Sequence, residues 1–354
     1  MITDIRLQQF RSYGDASFEF GSGVNIIVGP NASGKTNLLE AVLVVARGTS
    51  YRAKDAELVQ FDAPWARLDA HTDSNGVRTI KITAEPAASK SYELDGKPFK
   101  RLSFPHTLPV VLFEPNHLLL LNGSPEKRRD YLDDLLQQMH TGYGTTVRSY
   151  RRTLAQRNAL LKRGYRAAGP QLFPWNIRLS ELGATIARAR FELAETINEK
   201  LGSLYKDLAH ATTKVELAYI PQFAINTYET ALLKKLEATI ELDAERGFTG
   251  AGPHREDFMV SFDSRLAGET ASRGEARTCI LALKTIELHL LEQFREQKPL
   301  LLLDDVFSEL DGARRRALTE QLQAYQTFIT TTDADVVVQH FGKVANVIPI
   351  QPQS

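Results

Sequence analysis

Gly29-Pro30-Asn31-Ala32-Ser33-Gly34-Lys35-Thr36 fills every fixed position of the pattern G-x-x-x-x-G-K-[ST]. The glycines let the backbone curl so that successive N–H groups point inward around phosphate oxygens, and a helix beginning after the loop offers its positive end. Lys35 is expected to reach the β and γ phosphates of a nucleotide, and the Thr36 hydroxyl to ligate Mg²⁺. The flanks agree with that mechanism. Val24 to Val28 is β-rich, and Leu38, Leu39, Val42, Val45 and Ala46 follow at helical spacing before Gly48 stops the run. Strand, glycine-rich turn and helix in that order predict an α/β fold with ATP bound along Gly29 to Asn37.

Working outward, a loop of this kind needs an acid at the end of a neighbouring buried strand to hold Mg²⁺ through water. Leu300-Leu-Leu-Leu303-Asp304-Asp305 supplies one. Asp304 is the expected metal residue, and Asp305 is placed to polarise or deprotonate an attacking water, with Lys35 as the other catalytic group. The bland alternative is a strand that ends in a solvated acidic turn. The two motifs lie at opposite ends of the chain, so something large is inserted between them.

The remaining sequence describes that insertion. With 354 residues the chain has the length of about two domains. Hydrophobic residues at 43% and charged residues at 24% fit a compact globular protein. Lys plus Arg is 43 and Asp plus Glu is 43, so a uniformly basic nucleic-acid coat is excluded and any polyanion must meet a local patch. Cys279 stands alone, and no secretion signal or membrane span is evident, which leads us to expect a cytoplasmic protein without membrane contact. Residues 65 to 112 read as short β runs, an antiparallel elaboration. From Ser124 a long polar helical stretch opens, interrupted near Gly142 and Gly144. Trp175 to His210 is a second long helix, striped by Leu179, Leu182, Ile186, Leu193, Ile197 and Leu201. Ala276 to Gln297 is a third.

Residues 135 to 180 hold eight cations, Arg148, Arg151, Arg152, Arg157, Lys162, Arg163, Arg166 and Arg178, and no acid. Charge runs are usually solvated helix faces. The competing reading is a face that lies along a DNA backbone and releases counterions, for which Arg148, Arg151, Arg152, Arg157, Lys162 and Arg163 are the candidates. Thr270 to Arg277 reads T-A-S-R-G-E-A-R, a serine and a glycine at the start of a helix, which makes an anion site.

Taken together, the phosphate loop, Ser272-Arg273-Gly274-Glu275, the Asp304-Asp305 strand end and Ser308-Glu-Leu-Asp311 resemble the ABC-type ATPases, in the branch that includes SMC proteins. Phe10-Arg-Ser-Tyr13, Gly29 to Glu40, Gly123-Ser-Pro-Glu-Lys-Arg-Arg129, Gly252-Pro-His-Arg-Glu-Asp257 and Leu301 to Asp305 bring the resemblance closer to the bacterial RecF family, over the whole chain. The resemblance implies an ABC-type ATPase head with a mixed sheet and β elaboration, in two lobes, from which a helical arm protrudes. In those terms residues 1–123 form the first head lobe, 124–245 the arm and 246–354 the return to the head. Arg11 and Ser12 join the nucleotide-binding set.

The resemblance also implies that two ATPs are sandwiched in a homodimer, Ser272 and Gly274 of one copy facing the γ-phosphate held by Lys35 of the other. Ser272, Arg273, Gly274, Ser308 and Asp311 would line that interface. It implies DNA, single- and double-stranded and at gaps or junctions, as partner, with RecR and RecO in support of RecA loading. Arg273 and Glu275 replace the glutamines usual in the family's signature. Asp305 in place of the commoner glutamate, and Thr332 where transporters carry histidine, imply slow hydrolysis. Glu114 to Asn116 is the candidate glutamine loop. A transporter subunit shares the head and is the alternative, but lacks a basic helical insert. A tethering SMC protein needs far longer limbs than roughly 35 residues, about 50 Å at 1.5 Å each.

Overall fold

A computed structural model of the chain describes residues 1–73, 76–84, 88–163, 171–307, 312–333 and 345–351; in the last helix the side chains at 313, 314, 317, 320 and 321 are not described. The chain divides into two compact units, residues 1–117 with 287–354, and residues 118–286.

The first unit contains strands β1 (Ile2–Phe10), β2 (Tyr13–Glu19) and β3 (Val24–Val28), helix α1 (Lys35–Arg47), strands β4 (Trp65–Thr72), β5 (Val77–Thr83), β6 (Ser89–Leu94), β7 (Lys97–Phe99) and β8 (Val110–Phe113), and after the second unit β12 (Leu300–Asp304), α8 (Gly312–Leu322), β13 (Thr327–Thr331) and β14 (Asn346–Pro349). Two sheets result. One is antiparallel, in the order β2-β1-β4-β5-β6-β7; the other is parallel, in the order β14-β3-β13-β12-β8. Their sequences differ as the two environments require. In β5 burial alternates along Val-Arg-Thr-Ile-Lys-Ile-Thr, one face dry and one wet, whereas Leu300 to Leu303 of β12 are buried without interruption. Helix α1 lies within a single core that takes in Ile5 and Leu7 of β1, Leu68 of β4, Ile80 and Ile82 of β5, Leu302 of β12 and Phe328 of β13. Sandwiched in this way, it is buried continuously from Leu38 to Ala46, Glu40 included.

The second unit contains α2 (Pro125–Met139), α3 (Tyr143–Leu161), α4 (Phe173–Ala209), β9 (Val215–Ile220), α5 (Tyr228–Ala238), α6 (Ile240–Arg246), β10 (Asp257–Phe262) and β11 (Arg265–Leu266); α7 (Arg273–Arg295) contains the boundary between the units. Three of these strands form a small sheet in the order β11-β10-β9. Because β10 pairs along its whole length with β9, residues 246–286 fall in this unit, whereas the resemblance implied a return to the head from residue 246. The interruption expected near Gly142 is real: α2 ends at Met139, and Gly142, at a left-handed φ of 87°, stands at the start of α3.

One candidate DNA contact is overturned here. Arg157 is fully buried and its guanidinium is spent internally: Nε donates to Asn176 Oδ1 at 2.8 Å, Nη1 to Asp243 Oδ2 at 2.8 Å and to Thr249 Oγ1 at 2.7 Å, and Nη2 to the Leu236 carbonyl at 3.2 Å. The signal was present in the sequence. Tyr143, Val147, Tyr150, Thr153, Arg157 and Leu161 are the buried positions of α3, at steps of three and four, so Arg157 falls on the core stripe and not on the charged face.

A buried ion pair that loses one partner leaves a desolvated charge behind, at a cost of about 3–5 kcal/mol. Arg157→Ala is therefore expected to lower the free energy of unfolding measured in urea by that amount, while Arg148→Ala, at an exposed site, stays within about 0.5 kcal/mol of the wild type. Coincident melts of Arg157→Ala and wild type would contradict the internal pairing.

Candidate nucleotide-binding site

The loop after β3 is shaped by two residues with positive φ, Ala32 at 62° and Gly34 at 103°. A non-glycine residue held there costs of order 1 kcal/mol, and such alternation turns successive N–H groups to one concave side. Glycine is required at two points by contact as well. A Cβ on Gly29 would lie 2.4 Å from the Ile350 carbonyl oxygen and 2.7 Å from Ser33 Oγ, and one on Gly34 would lie 2.9 Å from the Tyr13 hydroxyl, which itself donates to the Gly34 carbonyl at 3.0 Å. Lys35 Nζ donates to the Gly29 and Pro30 carbonyls, both at 2.9 Å, so its charge sits at the mouth of the curl. Ser33 Oγ is buried and has no hydrogen-bond partner among the described residues. A concave run of donors, a buried lysine and an unsatisfied hydroxyl fit a phosphate group.

The acid reaches this loop across the sheet. Strands β3 and β12 are not neighbours: β13 runs between them, parallel to both, with Thr330 level with Ile27 on one side and Asp304 on the other. Two strand spacings, about 10 Å, are thus bridged by side chains. Thr36 Oγ1 donates to Asp304 Oδ1 at 3.0 Å, joining residues 268 apart in sequence. Thr330 Oγ1 donates to the same oxygen at 2.8 Å, and the Tyr51 hydroxyl to Asp304 Oδ2 at 3.0 Å. Burial, with the Asp304 carboxylate beside it, pushes the Tyr51 phenol above its usual range, so it serves as a donor. Asp305 is exposed, takes φ 53° and donates its backbone N–H to Thr330 Oγ1 at 2.9 Å. Among the described residues no cluster of three His, Cys, Asp or Glu could hold a metal alone. Mg²⁺ keeps several waters and takes few protein ligands beside substrate phosphates, and the Thr36 hydroxyl and the Asp304 carboxylate are oxygen donors of the kind it takes. Glu114 follows β8, whose Phe113 pairs with Leu303.

Arg11 is engaged by a buried carboxylate of α1. Its Nε and Nη2 hold both oxygens of Glu40 at 2.8 and 3.0 Å, and Nη1 donates to the Glu57 carbonyl at 2.8 Å. Arg52 Nη2 adds a bond to Glu40 Oε2 at 2.9 Å and one to Asn37 Oδ1 at 2.6 Å, and Asn37 Nδ2 donates to Ser12 Oγ at 2.9 Å. Burial by itself would raise the Glu40 carboxyl, but the hydrogen bonds from Arg11, Arg52 and Ser50 outweigh it and hold the group below the usual carboxylate range. Arg11, Ser12 and Asn37 are therefore joined into a polar brace around the first turns of α1. Tyr51, Thr330, Glu40 and Arg52 escaped the sequence reading.

At the start of α7, Ser272 Oγ accepts from the Glu275 N–H at 3.2 Å and Glu275 Oε2 accepts from the Ser272 N–H at 2.8 Å. This is a reciprocal capping box, and it gives the unusual Glu275 a purpose. Ser272 and Arg273 are exposed and Gly274 is half-buried. Ser308 and Asp311 lie outside the described residues. On α3, Arg148, Arg151 and Arg152 are exposed, as are Lys162 and Arg163 beyond its end; Arg151 approaches Asp130 at 3.5 Å. Two other sequence hallmarks meet each other. Arg128 clamps Asp257 with bonds of 2.7 and 2.6 Å, and Arg129 donates to the Glu256 carbonyl at 2.8 Å. Glu256 is buried, accepting from the hydroxyls of Tyr219 and Tyr228, while His254 bonds Tyr150 and is pushed by burial down to about 4. Gly252 to Asp257 is accordingly a structural junction tying α2, α3 and β9 to β10.

A family model for the RecF/RecN/SMC N-terminal domain matches residues 1–352. The DNA replication and repair protein RecF of Synechococcus sp. (strain JA-3-3Ab) is 36% identical, the alignment covering 96% of each chain. Its counterpart in Halalkalibacterium halodurans is 33% identical over 100% of this chain and 98% of its own. Among solved structures, the recombination mediator protein RecF of the RecFOR pathway described as RecF-ATP gives a TM-score of 0.85 at 30% identity, covering 94% of this chain and 92% of that one. The related RecF-ATPrS structure gives 0.86 at 29%. An Smc head bound to a ScpA domain, at 0.52 and 18% identity, shares the fold alone. Likeness over the full length of both partners leaves the transporter reading without support. With the phosphate loop, the Asp304 strand end and the paired Gly123–Arg129 and Gly252–Asp257 stretches all present in one chain, the family model and the relatives agree that this chain belongs to the RecF family.

Proposed function

We propose that the chain is an ATP-switched, DNA-binding protein of recombinational repair, which dimerises on ATP, sits at gaps or junctions between single- and double-stranded DNA, and supports RecA loading with RecR and RecO. The observation that carries the nucleotide part is the hydrogen bond from Thr36 to Asp304. It commits the Thr36 proton to the carboxylate, so that what the hydroxyl has to offer a cation is its lone pairs. Relatives of the same length that bear RecF names, one solved as RecF-ATP, support the rest.

In this reading Lys35 Nζ exchanges the Gly29 and Pro30 carbonyls for phosphate oxygens, and the loop N–H groups with Ser33 Oγ complete the cradle. Mg²⁺, for which Thr36 and Asp304 are the residues that would hold it, neutralises charge on the β and γ phosphates when bound. Asp305 orients or deprotonates the attacking water. Arg11 and Ser12 brace α1 through Glu40 and Asn37, holding the loop from behind. In the dimer, Ser272 and Gly274 of one copy meet the γ-phosphate on the other. The capping box suits that role in one respect: Ser272 Oγ accepts from Glu275, so its own proton stays free to donate. Arg273, exposed beside it, offsets the Glu275 charge. Only a triphosphate spans the two copies, so hydrolysis releases them.

ATP with Mg²⁺, but not ADP, is expected to convert monomer to dimer in sedimentation velocity; equal masses with both nucleotides would refute the switch. Lys35→Ala should lose nucleotide binding, whereas Ser272→Arg should bind ATP as the wild type does and stay monomeric. Were both to bind poorly, the assignment of Ser272 to the partner's site would be wrong.

Arg148, Arg151 and Arg152 lie at i, i+3 and i+4, one side of α3. Replacing all three with Ala is expected to weaken DNA binding whatever the sequence and to flatten the plot of log K against log salt by about two to three units, since each phosphate contact contributes about 0.9. An unchanged slope would take α3 out of the DNA path.

A further inference from the structure

We infer that Tyr51 is a positioning residue for the metal-binding carboxylate, held in place by a clasp that its two neighbours make on Glu40. This rests on the nucleotide reading above. After α1 the chain turns at Gly48, whose φ is 76°, and returns along the helix. Ser50 Oγ donates to Glu40 Oε1 and also accepts the N–H groups of Arg52 and Ala53, both at 3.1 Å, which tightens the turn. Arg52 Nη2 reaches Glu40 Oε2 from the other side, at 2.9 Å. The residues on either side of Tyr51 are thus fastened to one buried carboxylate, and that carboxylate is itself fixed by Arg11. Tyr51 is left with its hydroxyl on Asp304 Oδ2 at 3.0 Å.

The consequence for Asp304 follows from counting acceptor sites. An ionised carboxylate offers about four lone pairs. Thr36 and Thr330 occupy Oδ1 and Tyr51 occupies one position on Oδ2, which leaves one open acceptor, on Oδ2, among the described residues. The final torsion of an aspartate is broad, with no staggered well to hold it. Donors on Oδ1 alone would let Oδ2 swing; a donor on each oxygen fixes the plane. Tyr51 therefore keeps Oδ1 on Thr36 and aims the open site.

The test is the Mg²⁺ requirement for nucleotide binding. In Tyr51→Phe the Mg²⁺ concentration for half-maximal binding of a fluorescent ATP analogue should rise about tenfold, the size of effect found for groups that orient metal ligands. Binding of the analogue in EDTA should match the wild type. Ser50→Ala, which loosens only the clasp, should shift the midpoint in the same direction by a smaller factor. A wild-type midpoint in Tyr51→Phe, with binding in EDTA intact, overturns the proposal. If Tyr51→Phe does not fold, Ser50→Ala decides: a shifted midpoint supports the clasp and an unmoved one overturns it. A wild-type protein that binds the analogue without regard to Mg²⁺, or a Lys35→Ala variant that still binds it, would overturn the nucleotide reading and this proposal with it.

Discussion

A hydroxyl and a carboxylate 268 residues apart, Thr36 and Asp304, meet at 3.0 Å, and most of the first unit can be understood as what that meeting requires. The parallel sheet supplies it. Strands β3, β13 and β12 run in the same direction and end level, so the loop after β3 and the acid closing β12 emerge on one edge, where ligands of such sheets bind. Thr330, on the strand between, turns a gap of two strand spacings into a relay of hydroxyls. Helix α1 then has to be held firmly, because it carries Lys35 and Thr36. Being enclosed by the core on all sides, with Glu40 braced by two arginines, achieves this.

Four groups of ion pairs among the described residues mark where the chain is fixed. Glu40 with Arg11 and Arg52, Asp133 with Arg190, Asp243 with Arg157 and Asp257 with Arg128 each join segments distant in sequence. Taking such charges from water is costly, so their value lies less in net stability than in specifying one arrangement. Two of them serve the hallmark stretches of the second unit. Arg128 meets Asp257 and Arg190 meets the Pro253 carbonyl at 2.7 Å, so the stretch around His254, chemically suggestive in isolation, holds helices and strands together.

The parts of this architecture that a linear sequence displays are the ones written in local patterns. The phosphate loop needs glycines, a lysine and a threonine at fixed spacing, and a fully buried parallel strand needs an unbroken apolar run, so both were evident. Strand order is different in kind: nothing in Leu300 to Asp304 or Thr327 to Thr331 says which lies beside β3, and the acid was expected on a neighbouring strand when β13 in fact intervenes. Arg157 was misplaced because charge was counted without regard to helical phase, although its spacing from Tyr150 and Leu161 puts it on the apolar side. Tyr51 had no local signature at all. Its role comes from a turn at Gly48 and a tertiary contact that neither composition nor periodicity encodes. Glu275 is the reverse case, a departure from the family pattern that local helix chemistry explains.

The central claim is that Thr36 and Asp304 act as one unit on the metal-bound nucleotide. A double-mutant cycle measures this directly: affinity for ATP with Mg²⁺ in wild type, Thr36→Val, Asp304→Asn and the double variant, by titration calorimetry. Residues that share one hydrogen bond couple by about 0.5–3 kcal/mol, and independent ones add to within about 0.5 kcal/mol. A coupling above 1 kcal/mol, with the double variant little worse than the weaker single one, is the predicted result; simple additivity would contradict the account.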